Sequence, residues 1–154
     1  MTLIAKTNLK KRIIATLLDY TLFSLATFIY IMLAGHYNDE VSKTVNGLLA
    51  LAIPAAWFIY LVVIEVLNGA TLAHQGLDLK VLTIERNEIE FAQALKRHLL
   101  DPIDIFIYGI PGVIAIKNSA RHQRLGDMWA KIIVVDKKDK EQFLINNIGQ
   151  VLQD

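Results

Sequence analysis

Arg12 and Asp19 stand seven residues apart where a hydrophobic run begins, Ile13–Ala34, IIATLLDYTLFSLATFIYIMLA. Seven residues of helix turn through about 700°, so both side chains share one face, about 10 Å apart along the axis. Ala15, Thr16, Thr27 and Tyr30 continue that face, which is small and polar while the rest is Leu, Ile and Phe. Arg12 approaches Asp19 without reaching it, and Thr16 or a water can bridge them. A carboxylate a third of the way into a membrane span costs ~2.5–3.5 kcal/mol even on lenient insertion scales, so Asp19 must be paired, protonated or wetted. Two chemistries fit that demand, a structural buried pair and a proton or cation site. For Arg12 the plainer role is a snorkelling interfacial cation.

Further ionisable residues fall in apolar surroundings. Glu65 lies near the end of the second hydrophobic block, level with the start of the first, where Arg12 or Lys11 is a natural partner. Arg97, Asp101 and Asp104 share a helix face by their spacing, and Asp104 runs directly into IFIYGIPGVIAI. It is a second candidate ionisable site. Arg121, Arg124 and Asp127 frame a glycine in RHQRLGD. That cluster reads either as a basic anchor for anionic headgroups or as arginines fixed by Asp127.

Several chemistries are excluded. The chain has no cysteine, and His36, His74, His98 and His122 have no metal-ligand spacing, so no metal or cofactor is expected. No Gly-rich phosphate loop, nucleophile elbow or metalloprotease pair is present, and no enzyme activity is expected. Nucleic-acid binding is not expected either. No internal repeat is visible in the sequence.

The elements that must hold these residues are set by hydropathy. Of 154 residues 54% are hydrophobic, with net charge +1 and mean hydropathy +0.40, and the apolar residues come in blocks. Ile13–Ala34 is long enough for a ~30 Å hydrocarbon core. Gly47–Leu67 forms a second span with Pro54 as a tolerated kink. Its alanines offer a close-packing surface, and Trp57 and Tyr60 are placed for packing against another helix. Leu99–Ile116 is interrupted by two Asp, two Pro and one Gly before its closing GV, which suits a broken or re-entrant segment. Leu77–Ile84 and Ala130–Val135 read as strands, and pairing them spares each an unsatisfied edge. The expected fold is therefore a mainly α membrane protein: two transmembrane helices, a broken or re-entrant third segment and a small cytoplasmic two-stranded β-ribbon. Residues 1–136 form the membrane domain, and 137–154 a short tail with the spacing of an amphipathic helix.

Charge orients these elements. Lys6, Lys10, Lys11 and Arg12 precede the first span, and Lys117, Arg121, Arg124, Lys131, Lys137, Lys138 and Lys140 follow the third block. The positive-inside bias places both groups in the cytoplasm, which a re-entrant third block allows. The expected arrangement is a multi-pass membrane protein with both termini inside.

The pattern resembles the RDD family of small bacterial membrane proteins, from about Lys11 to Val135. Arg12, Asp19 and Asp127 match its signature arginine and two aspartates, and QRLGD with the valine-rich strand matches its closing motif. RHLLDPID is similar to the family's R-N-L-L-R-x-I-D, with Asp104 on its aspartate. Thr71-Leu72-Ala73-His74 departs from the family's T-L-G-K, and Ala130-Lys131-Ile132 from its A-G-T. The resemblance implies a membrane protein of either of two kinds. One transports small ions or ligands, as in monovalent cation/proton exchange, through a homo-oligomer or with other membrane proteins. Arg12, Asp19 and Asp127 would then form the site, supported by Asp104, Glu65, Arg124 and Arg97. The other is a membrane-anchored interaction or accessory module in the lipid bilayer, without transport.

Overall fold

The computed structural model describes residues 8–38 and 42–139, with side chains except at 106–108. Lys6 and the expected tail helix lie outside the described residues. The first span is α1 (Leu9–Ala34), whose mean hydropathy over its most apolar window is 1.7. It begins one turn before Ile13, because Lys10, Lys11 and Arg12 are good helix formers. The second apolar helix, Gly47–Asn68, has a window at 2.4. Pro54 lacks the N–H that would continue an α ladder, and this helix changes pitch along its length. A 3-10 turn (Gly47–Leu51) leads into α2 (Ala52–Trp57), a π stretch (Phe58–Val63) and α3 (Ile64–Asn68). Gly69, at φ 69°, supplies the left-handed residue that stops it.

These helices keep their apolar side chains outside. Only 6% of the first apolar window and 11% of the second is buried, and Leu17, Leu33 and Leu48 are largely exposed. Such surfaces require an apolar solvent or protein neighbours. What α1 does bury is Arg12, Ala15 and Asp19, the face expected from their spacing. Beyond α1, β1 (His36–Tyr37) and β2 (Lys43–Thr44) form a short antiparallel hairpin that periodicity did not indicate.

After the short α4 (Leu72–Gly76), β3 (Leu79–Thr83) and α5 (Phe91–Leu99), the third hydrophobic block forms α6 (Asp101–Asn118). The helix path bends by 111° between Ile105 and Gly109. Gly109 takes φ 81°, and Pro111 follows within the helix. Past the bend the chain folds back on its own start. A side chain at Gly112 would sit 2.9 Å from the Asp104 carbonyl. Arg12, near the start of α1, donates to the His122 carbonyl just beyond α6. The block is thus bent and returns to the end it came from.

The chain closes with α7 (Leu125–Ala130) and β4 (Ile132–Asp136). β3 and β4 pair antiparallel, as expected, with Val81 opposite Val134 at the centre of five paired positions. Nearly every ribbon residue is buried. One face joins Leu79, Val81, Ile132 and Val134 to Ala15, Val62 and Ala73. The other gathers Leu82, Ile133 and Val135.

A repeat hidden from the sequence appears in the backbone. α4–β3 and α7–β4 are each a short helix, one left-handed residue (Asp78 at φ 60°, Lys131 at φ 56°) and a five-residue strand. With Val81 facing Val134, a local two-fold relates the units. Gly126 in the second unit corresponds to Ala73 in the first. It has no room for a methyl group, since a Cβ there would lie 2.5 Å from the Arg97 carbonyl. Gly126→Ala is therefore expected to cost about 1–3 kcal/mol. Thermal unfolding in detergent should show a lowered Tm, while Gly76→Ala, which meets nothing within 4 Å, keeps the wild-type value. Equal Tm for both variants would contradict this packing.

Candidate functional site

Asp19 is held by the turn that starts α4. Oδ2 accepts from the Thr71 hydroxyl at 2.5 Å and from His74 Nδ1 at 2.9 Å. Oδ1 accepts from the Tyr60 hydroxyl at 2.9 Å and the Ala73 amide at 3.0 Å. The carboxylate thus does from a neighbouring helix what an N-cap side chain does locally. Arg12, expected to approach it through Thr16 or a water, takes no part. Seven residues put the two side chains on one face but also a full two turns apart, and each meets a different element.

Asp104 makes the matching contact with the second unit. Its oxygens accept from the Leu125 and Gly126 amides at 3.0 and 2.9 Å, at the start of α7. One aspartate from α1 and one from α6 therefore cap the two related short helices. This gives Asp104 its partners in a segment where solvation is poor.

Between the caps lies a closed ionic cluster. Arg12 binds Asp127 through Nη2 and the His122 carbonyl through Nη1 at 2.5 Å. Asp127, fully buried, also faces Arg97 Nε and Arg124 Nε, each at 3.3 Å. Arg97 Nη1 lies 2.9 Å from Glu65 Oε1. Arg97 Nε and Nη1 are within ion-pair range but are not aligned for hydrogen bonds, so their attraction is mainly coulombic. Arg124 Nη2 reaches Asp101 at 2.8 Å. Glu65 is therefore bound to Arg97 and His98 rather than to Arg12 or Lys11. Lys11 instead pairs with Asp136 at the end of β4. Arg97, Asp101 and Asp104 do not lie along one interfacial helix, because α5 stops at Leu99 and α6 restarts at Asp101.

Electrostatics follow from these contacts. Burial would raise the Asp127 carboxyl, but Arg12, Arg97 and Arg124 outweigh it and hold it well below the usual carboxylate range. Burial opposes charge on Arg124 too, yet Asp101, Asp127 and Asp104 drive its pKa up. Asp136 is lowered, burial being overcome by the Lys11 bond and the Lys138 amide. His74 goes the other way. Its burial outweighs the bond to Asp19 and lowers it, so the contact, although within ion-pair distance, is a hydrogen bond from a neutral ring. The proton sits on Nδ1, which faces Asp19, and leaves Nε2 as a bare acceptor.

Two cavities adjoin the cluster. The first, about 360 Å³, has Arg12, His74, Arg97, Asp104 and Arg124 in its wall, together with apolar residues of α1 and α6 such as Leu17 and Val113. The second, about 380 Å³, is bounded by Tyr20, Trp57, His98 and Asp101 among others. Trp57 packs edge-on against His98, and Tyr60 bonds Asp19, so both aromatic residues pack within the helices as expected.

All seven expected site residues are buried. Six of them, Arg12, Asp127, Asp104, Glu65, Arg124 and Arg97, share one cluster, while Asp19 sits beside it. Thr71, His74 and His98 were not expected there. Thr71, as a residue that favours helix N-caps, carried the one signal that could have located α4. Among the described residues no group of His, Asp and Glu is arranged to hold a metal.

The Arg12–Asp127 pair should dominate stability. Arg12→Ala leaves a buried carboxylate short of a partner and is expected to cost about 3–5 kcal/mol. In a double-mutant cycle with Asp127→Ala the two losses should fall well short of adding, and additive losses would refute the pairing. Because the folded Asp127 pKa is depressed, its contribution is present above the unfolded value of about 3.9 and is lost as pH falls. Tm measured from pH 7 to pH 3 should drop on the acid side, and Asp127→Asn should flatten that limb.

No curated protein and no solved structure matches this chain. The family model described as RDD family matches residues 6–131. That span includes Arg12, Asp19, Asp104 and Asp127, the residues that tie the helices to the two capped units. The chain belongs to the RDD family.

Proposed function

We propose that the protein is a multi-pass protein of the bacterial inner membrane, with both termini in the cytoplasm, that moves a small ligand or ion coupled to a proton. It does so in an oligomer and without enzyme chemistry. The observation that carries this reading is the first cavity, where His74, backed by Asp19, lies beside ionised side chains, between α6 and α1, a helix long enough to cross a bilayer. Ionisable groups in such a place are costly and mark proton and ion pathways.

The geometry assigns the roles. Asp19 has four donors, about the full acceptor capacity of a carboxylate, so it has no oxygen to spare for a cation. It orients His74 and stabilises the imidazolium once a proton arrives at Nε2. The exchanging group is then His74, with Asp19 as its positioning residue. The oligomer supplies the walls that two largely unburied spans lack. The basic residues at the start of α1 and after α6 support the cytoplasmic placement.

A second reading, a membrane-anchored interaction module without transport, is favoured by one observation. The ionic cluster closes on itself and joins α1, the second span, α5, α6 and α7, as a purely structural clamp would. Reconstitution in vesicles with an internal pH dye separates the two. Transport predicts proton movement when Na⁺, K⁺ or a small carboxylate is added outside, and its loss in a folded His74→Gln variant. A folded wild-type protein that moves no protons with any of them would leave the module reading.

A further inference from the structure

His98 lies between two carboxylates. Its Nδ1 is 2.6 Å from Asp101 Oδ2, and its Nε2 is 3.1 Å from Glu65 Oε2. An ionised carboxylate only accepts, so both ring nitrogens must carry hydrogen and the ring must be charged. The alternative, a proton on one carboxyl, is opposed by the other neighbours. Glu65 Oε1 faces Arg97 at 2.9 Å, while Asp101 accepts from the Tyr20 hydroxyl at 2.5 Å and faces Arg124 at 2.8 Å.

Charge balance points the same way. Around His98 stand Arg12 of α1, Glu65 of α3, Arg97 of α5, Asp101 and Asp104 of α6, and Arg124 and Asp127 at α7. Four carboxylates meet three guanidiniums there, and His98 is the fourth cation that balances them. Asp19 with His74 forms a separate pair beside them. The guanidiniums do not titrate in the accessible pH range, which leaves His98 as the cluster's exchangeable cation. Both His98 and Asp101 border the second cavity, whereas His74 borders the first.

We propose that His98 is a second proton-binding site, an imidazolium clamped between Glu65 and Asp101 that exchanges its proton through the second cavity and ties α5 and α6 to the second span while it is charged. The site stands whether or not the first cavity conducts. Deprotonation leaves the cluster with one uncompensated negative charge. It also turns a ring lone pair toward one carboxylate. Of the two contacts, the longer one to Glu65 is the one to break, so the change is felt between α5 and the second span.

The test is a titration of ¹⁵N-histidine-labelled, full-length protein in detergent micelles, following the ring nitrogens from pH 5 to pH 10. His98 is assigned by the signal missing from His98→Gln or, if that variant does not fold, by elimination with His36→Gln, His74→Gln and His122→Gln. The expected result at pH 7 is two protonated ring nitrogens for His98 and a neutral ring for His74. Glu65→Gln should move the His98 transition down by about 1 pH unit or more. The wild-type Tm should fall as pH rises through that transition, since the stabilising form is the protonated one. A neutral His98 at pH 7 in the folded wild-type protein overturns the proposal, and that measurement decides even if Glu65→Gln does not fold. A folded Glu65→Gln variant whose His98 transition does not move down overturns it as well.

Discussion

The structure depends on one constraint: charged groups carried on apolar helices must find their partners inside the protein, because the apolar side chains beside them offer none. Asp127 answers it most completely. Fully buried, it receives Arg12, Arg97 and Arg124. Through these contacts a six-residue helix becomes the point where α1 and α5 meet. The usual arrangement of a soluble domain is inverted, with large apolar residues such as Leu33 and Leu48 outside and Arg97, Glu65 and Asp127 within.

The two capping aspartates extend the same logic to the backbone. A short helix exposes amide groups at its start that need acceptors, and in a dry setting water cannot provide them. Asp19 and Asp104 do so for α4 and α7. Each cap fixes a helix, each helix leads through a left-handed residue into a strand, and the two strands pair about Val81 and Val134. An aspartate near the start of a span and another near a bend thereby set the position of a ribbon that neither belongs to.

The histidines divide the electrostatic work. His74 is a neutral donor to a saturated carboxylate, while His98 has a carboxylate at each ring nitrogen and bears charge. They lie on different cavities. Each stands where the family's sequence pattern has another polar residue, a lysine in T-L-G-K and an asparagine in R-N-L-L-R-x-I-D. The proposed proton chemistry therefore centres on residues outside the signature, while Arg12, Asp19 and Asp127 hold the frame around them.

Much of this was legible in the chain. Hydropathy blocks located the two spans, Asp and Pro within Leu99–Ile116 marked the bend, and β-branched runs marked the strands, since each signal is local and periodic. The shared helix face of Arg12 and Asp19 also followed from spacing alone. Partners were not legible. Spacing suggested Arg12 for Asp19 and Lys11 or Arg12 for Glu65, yet Asp19 went to Thr71 and His74, and Glu65 to Arg97 and His98. Distance along a helix says which face a charge occupies and nothing about which distant element covers that face. The sequence by itself determined which residues had to be satisfied away from water, because the cost of an isolated charge among apolar residues is local. Only the tertiary structure decided who satisfies them, because the fold-back at Gly112 and the antiparallel pairing of β3 with β4 bring together residues up to 125 positions apart.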